Sequence, residues 1–190
     1  MTRIYFVRHC QPVEKDQDDR NRPLTEDGRR DSEAVTEFFK DKNIDVFYCS
    51  PYKRSLDTIR GTAEHYKKKI ITDERLRERE TGPESNNDEL FRRRWADHCF
   101  HEEGGESLDM VQKRNMAALH DILKNNQGKN IVIGTHGTAL STILNYFHKE
   151  FDCEAFLRII DWMPYIIELD FEGEDLVGQV EHLHIEKEFV

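Results

Sequence analysis

Residues 3–12 read RIYFVRHCQP, and the fold turns on how this stretch is read. Ile4 to Val7 is a short run of β-branched and aromatic residues, the composition of a strand covered on both faces. It ends at Arg8, His9 and Cys10, so an arginine, an imidazole and a thiol sit at the carboxyl tip of a buried strand. A strand covered on both faces requires helices on either side of it, and the rest of the chain supplies them.

In PLTEDGRRDSEAVTEFFKDKNI (23–44), the positions Ala34, Val35, Phe38 and Phe39 fall on one helical face, with Thr25 as the N-cap. DVFYCS (45–50) reads as a second strand that stops at Ser50-Pro51. YKRSLDTIRGTAEHY (52–66) then reads as a helix opened by proline, and KIITD (69–73) as a third short strand. Residues 74–105 are the least regular, with an amphipathic piece at DELFRRRWADHCF (88–100). SLDMVQKRNMAALHDILKNN (107–126) is the strongest helix, capped by Ser107, with Leu108, Val111, Leu119, Ile122 and Leu123 at three- and four-residue steps. NIVIGTH (130–136) is a buried strand followed by the helix GTALSTILNYFH (137–148). YIIELDF, the turn EGED and LVGQVEHLHI form a terminal antiparallel hairpin. The pattern predicts one α/β domain over residues 1–190, a three-layer α/β/α sandwich whose mostly parallel sheet carries an antiparallel edge hairpin.

The chain has 190 residues and a net charge of -10, from 28 Lys+Arg against 38 Asp+Glu. That balance argues against nucleic acid and anionic membranes as partners. It leaves room for a small phosphorylated substrate held by a local group of arginines. Four scattered cysteines without a CxxC pair fit free thiols in a reducing compartment. With no cleavable apolar segment and no run of membrane-spanning length, the expected location is the cytoplasm.

In parallel sheets, ligands bind beyond the carboxyl ends of the strands. Arg8 and His9, the segment Ser50 to Arg54, Glu78 and His136 all fall at such tips. Arginine forks match phosphate oxygens, a neutral imidazole can attack phosphorus, and a carboxylic acid can protonate a leaving oxygen. The ordered segments VRHC, SPYKRSLDT, LRERETG, GGESL and VIGTHG resemble the motifs of the histidine phosphatase (phosphoglycerate mutase-like) superfamily. The resemblance implies that His9 is the nucleophile that becomes phosphohistidine and that Arg8 and Arg54 clamp the phosphoryl group. It further implies that His136 stabilises the transition state, and that Glu78 is the general acid and base, with Glu80 as the fallback. Gln11 and Gly137 join the expected substrate-binding set, the stretch 83–105 is the expected lid and specificity segment, and neither metal nor cofactor is called for. The implied activity is phosphomonoester hydrolysis. The alternatives are a phosphoglycerate mutase-type phosphotransferase and a non-catalytic phospho-ligand-binding module.

The sequence departs from the family at three places. Cys10 stands where glycine is usual, Pro12 replaces Thr or Ser, and Lys15 replaces a frequent asparagine. A cysteine-nucleophile loop beginning at Cys10 requires arginine where this chain has Asp16, so that mechanism fails, and Cys10 reads as a buried inert thiol ahead of a redox-sensitive one. His98 and His101 read as flanking residues of a loop rather than metal ligands. His182 and His184 are expected to share one strand face, Arg92 to Arg94 to form a solvated helix face, and Lys67 to Lys69 to form a charged helix end.

Overall fold

A computed structural model describes residues 1–15, 18–83 and 86–188. Asp16 and two positions of the expected lid, 84 and 85, lie outside these residues. The elements run in the order β1 (Thr2–Arg8), α1 (Glu26–Phe39), β2 (Val46–Cys49), α2 (Lys53–His65), β3 (Ile70–Thr72), a 3-10 turn (Glu74–Leu76), α3 (Asp88–Ala96), α4 (Leu108–Asn125), β4 (Asn130–Thr135), α5 (Gly137–Phe147), α6 (Cys153–Ile159), β5 (Trp162–Glu172) and β6 (Asp175–Glu186). The sheet order is β3-β2-β4-β1-β5-β6. β3, β2, β4 and β1 are parallel, and β5 pairs antiparallel with both β1 and β6. This is the mostly parallel α/β architecture with an antiparallel edge hairpin.

Strand alternation splits the core in two. Ile4 and Phe6 of β1, Ile131 and Ile133 of β4, and Ile167 and Leu169 of β5 point toward α4 and α5, where Leu119, Ile122, Leu140 and Ile143 meet them. Tyr5, Val7, Val132 and Ile166 point the other way, onto Val35 and Phe39 of α1 and Ile59 and Ala63 of α2. Period-two side chains on a central strand thus build both apolar layers at once. The helix starts follow ordinary capping chemistry: the Thr25 hydroxyl accepts from the Gly28 N–H at 2.9 Å, and the Ser107 hydroxyl accepts from the Met110 N–H at 3.2 Å.

The structure corrects three expectations. Helix α6 was not foreseen, because only seven residues separate the Asp152 cap from Ile160 and too few apolar repeats accumulate to show a period. His182 and His184 do not share a face. A register shift in the β5–β6 ladder turns His182 toward Tyr5 and Phe38, with its Nε2 at 2.7 Å from Glu168, while His184 stacks on Trp162 at 3.7 Å. The three consecutive arginines of α3 also separate. Arg92 bridges Asp88 and Glu154 in solvent and Arg93 lies over Phe100, whereas Arg94 is buried on Glu102. Helical rotation of about 100° per residue carries one of any three neighbours to the inner face.

Candidate active site

Register alone brings the chemistry together. Arg8 of β1 pairs with Thr135 of β4, so the next residues, His9 and His136, leave neighbouring strand tips side by side. Their ring centroids are 5.2 Å apart. Cys49 of β2 pairs with Gly134 of β4, which places Ser50 beside them, and its hydroxyl lies 2.7 Å from His136 Nε2. Arg8 follows Ile4 and Phe6 on the α4/α5/α6 side of the sheet, and its Nη1 donates to the Ile159 carbonyl at 2.7 Å. Arg54 comes from the first turn of α2, on the opposite side. The two guanidinium groups therefore approach the strand tips from opposite faces.

Hydrogen bonds fix how the imidazoles present themselves. His9 Nδ1 lies 2.8 Å from the Cys10 carbonyl. A carbonyl only accepts, so Nδ1 carries the proton and Nε2 the lone pair. The Ser50 hydroxyl accepts from the Tyr52 N–H at 3.3 Å and lies 2.7 Å from His136 Nε2. His136 Nδ1 is a buried atom without a protein hydrogen-bond partner among the described residues. The Arg8 Nε is buried and unpartnered in the same sense. Buried polar atoms call for partners, and an anion's oxygens suit a guanidinium N–H.

Burial and surrounding positive charge act on these groups together. Burial, then Arg54 and Arg8, hold His9 well below the usual imidazole range, and burial with Arg54 does the same to His136. Burial pushes the Arg8 guanidinium down to about 10, opposed by Glu78 and Asp161, so it stays charged at neutral pH. The result is two neutral imidazoles between two arginines on an acidic protein.

Glu78 reaches the same place from the sheet edge. Its Oε2 accepts from the Thr138 N–H at 3.0 Å, and its Oε1 from the Ala139 and Arg79 N–H groups at 2.9 and 2.7 Å. The carboxylate thus caps the N-terminus of α5, where the helix dipole favours negative charge. Oε1 has both lone pairs engaged. Oε2 has one left. Glu80 also lines the cleft, but it is exposed, and its backbone N–H is bound to Glu106.

Arg8, His9, Arg54, Glu78 and Gly137 line one cleft of about 1290 Å³, and His136 is fully buried beside His9. At Gly137 a Cβ would stand 3.1 Å from the Arg8 guanidinium carbon, so glycine there lets the arginine lie against the start of α5. Gln11 does not join them. Its amide nitrogen donates to the Glu188 carbonyl at 2.7 Å and its amide oxygen accepts from the Thr25 hydroxyl at 2.9 Å, so both ends are spent on holding the loop before α1. Pro12 does line the cleft. Arg54 Nη1 is held by Asp19 of the same loop, at 2.5 Å to its carbonyl and 3.0 Å to its carboxylate.

Cys10 is fully buried in the α1/α2 core, its backbone N–H donates to the Thr58 hydroxyl at 2.9 Å, and burial pushes the thiol up to about 12. Its φ is not among the positive values of the described residues, so cysteine needs no strained backbone here. Sequence reading placed Ser50 at a strand tip but gave it no partner, and it missed Asp19, which carries no pattern of its own. His98 packs on Trp95 and His101 Nδ1 lies 3.1 Å from the Glu102 carbonyl. No helix among the described residues is long and apolar enough to cross a membrane.

The sequence model of the histidine phosphatase superfamily (branch 1) matches residues 4–177. The chain is 27% identical over 150 residues to phosphoserine phosphatase 1 of Hydrogenobacter thermophilus, covering 72% of this chain and 71% of that protein. It is 29% identical over 133 residues to the 2,3-bisphosphoglycerate-dependent phosphoglycerate mutase of Thermoplasma acidophilum, covering 67% and 64%. Its fold is similar to that of the Entamoeba histolytica phosphoserine phosphatase in complex with 3-phosphoglyceric acid, with a TM-score of 0.77, 23% identity, and coverage of 100% and 99%.

Proposed function

Because this chain belongs to the histidine phosphatase superfamily, branch 1, we propose that it hydrolyses a small phosphomonoester through a covalent phosphohistidine on His9. The observation that carries the reading is the His9–Cys10 hydrogen bond, which aims the Nε2 lone pair away from the backbone. Nε2 attacks phosphorus, a P–N bond forms, and the P–O bond to the alcohol breaks in line. Arg8, Arg54 and the Nδ1–H of His136 meet the charge on the equatorial oxygens; preorganised donors of this kind are each worth about 3 kcal/mol of barrier. Glu78, protonated at Oε2, delivers that proton to the departing alkoxide. The carboxylate then takes a proton from the water that attacks phosphohistidine, inorganic phosphate leaves, and His9 is restored.

The cleft, about 1290 Å³, has room for a small phosphomonoester together with water. The relatives' names, a phosphoserine phosphatase and a phosphoglycerate mutase, support a small phosphorylated metabolite as the substrate class.

The test is a panel of sugar phosphates, nucleotides and phosphoamino acids, with wild type and His9→Ala run side by side. Acid-labile phosphate on wild type, release of free phosphate, and a loss of at least about 10³-fold in the variant are expected. Transfer between hydroxyls without release would assign a mutase. Binding without turnover across the panel would leave a phospho-ligand-binding module.

A further inference from the structure

GGESL (104–108) is the sequence motif to which the proposed chemistry gives no role. Its Glu106 is buried and pairs with Arg114, which projects from α4. Arg114 has five N–H groups, and all five are used. Nε and one Nη2 hydrogen grip the two oxygens of Glu106 at 2.9 and 2.8 Å. The other three donate to main-chain carbonyls: Arg75 at 2.9 Å, Arg77 at 2.6 Å and Glu78 itself at 2.9 Å. Glu106 in turn accepts from the Glu80 N–H at 2.9 Å and from Arg77 Nη2 at 3.0 Å. The Glu106 N–H closes the ring by donating to the Glu80 carbonyl at 2.9 Å.

The segment so held has no regular structure after the turn at Glu74–Leu76. Left to itself, such a segment samples many backbone angles, whereas proton transfer tolerates an error well under about 1 Å. A planar guanidinium suits the task because its fixed fork meets three carbonyls at once, which an ammonium group on a flexible stem does not.

We infer that Arg114 and Glu106 are positioning residues for Glu78, an ion pair that holds the main chain on both sides of the proton donor. The inference rests on Glu78 acting as that donor. Neither residue touches the substrate. Their effect appears where the leaving oxygen needs a proton, and fades where it does not.

The experiment uses the full chain, with Arg114→Lys, Glu106→Gln and Glu78→Gln measured on p-nitrophenyl phosphate and on glycerol phosphate. The first ester has a leaving group that departs unprotonated; the second does not. Glu78→Gln is expected to lose about 10²-fold in kcat on glycerol phosphate and far less on p-nitrophenyl phosphate. Arg114→Lys and Glu106→Gln are expected to show the same split, about tenfold or more on glycerol phosphate, with little change in KM. Equal losses on both esters in a folded variant overturn the positioning role, as does a wild-type rate on glycerol phosphate. If Glu78→Gln itself shows no split, the proton-donor reading falls, and the positioning role falls with it. Should Arg114→Lys fail to fold, Glu106→Gln keeps the side-chain shape and decides the matter.

Discussion

The Nδ1 of His9 and the carbonyl oxygen of Cys10 lie 2.8 Å apart, and this bond joins the family's nucleophile position to the residue at which the chain departs from the family. The contact uses the backbone of residue 10, so glycine and cysteine serve it equally. What the side chain changes is the core behind it.

That contact and its surroundings set a pH expectation. His9 and His136 are held well below the usual 6.5, first by burial and then by Arg54 and its neighbours. The imidazole signals of both should therefore stay fixed in an NMR titration from about pH 7.5 to about pH 6, and a midpoint near 6.5 for either would contradict the site described. Stability follows with a definite sign. Below about pH 6.5 the unfolded chain takes up protons at these histidines and the folded chain does not, so stability falls as pH drops. His136→Gln should flatten the slope of thermal midpoint against pH between about pH 6.5 and about pH 5.

Gly137 gives a second expectation, on affinity. A methyl group at this position would stand 3.1 to 3.2 Å from three atoms of the Arg8 guanidinium. The arginine must then shift by a few tenths of an ångström, loosening its bond to the Ile159 carbonyl and its aim at the phosphate. Gly137→Ala should fold normally, because its φ is not among the positive values of the glycines. Inhibition by inorganic phosphate should weaken about tenfold, the worth of one charge-assisted hydrogen bond. An unchanged inhibition constant would show that Arg8 yields without consequence.

Much of this was legible in the sequence, for identifiable reasons. The run Ile4–Val7 and the run Ile131–Ile133 are apolar at every position, and only a strand packed on both faces needs that. Arg8, His9, Arg54 and His136 were found because each follows a strand tip. Gln11 misled because its amide is engaged elsewhere: the oxygen accepts from the Thr25 hydroxyl and the nitrogen donates to the Glu188 carbonyl. Arg114 was invisible, and Ser50 was placed at its strand tip without a role, because their partners lie 36 and 86 residues away. Arg94 looked like a solvated charge, since only the fold brings Glu102 beneath it, a carboxyl that Arg79 and Arg94 help hold at about 2.

Cys10 is expected to be chemically silent. Its thiol is pushed up to about 12 by burial, as is that of Cys49, while Cys99 is exposed. A thiol reagent on the native protein should label Cys99 rapidly and reach Cys10 and Cys49 only on unfolding. Cys10→Ala should keep the wild-type rate within about threefold and lower stability by about 1 kcal/mol, since it trims a buried side chain without touching the backbone bond to His9. Loss of activity on mild oxidation that Cys10→Ala prevents would instead make this thiol a sensor.

Asp19 supplies the last expectation, because its carboxylate occupies the arginine that the phosphate needs. Arg54 Nη1 is 3.0 Å from Asp19 Oδ1 and 2.5 Å from the Asp19 carbonyl, and Arg54 itself is 4% exposed. An incoming phosphoryl group must share or displace this carboxylate, and the two anions repel each other. Asp19→Asn removes the charge but keeps the backbone carbonyl that orients Arg54. The Asp19 side chain is 41% exposed, which limits its pairing with Arg54 to the order of 1 kcal/mol. The variant should therefore bind phosphate up to about fivefold more tightly. KM should fall and kcat should change little, since the carboxylate opposes ground state and transition state alike. A rise in KM would mean that Asp19 holds Arg54 in its productive pose, and that the 11–22 loop assists the clamp instead of competing with the substrate.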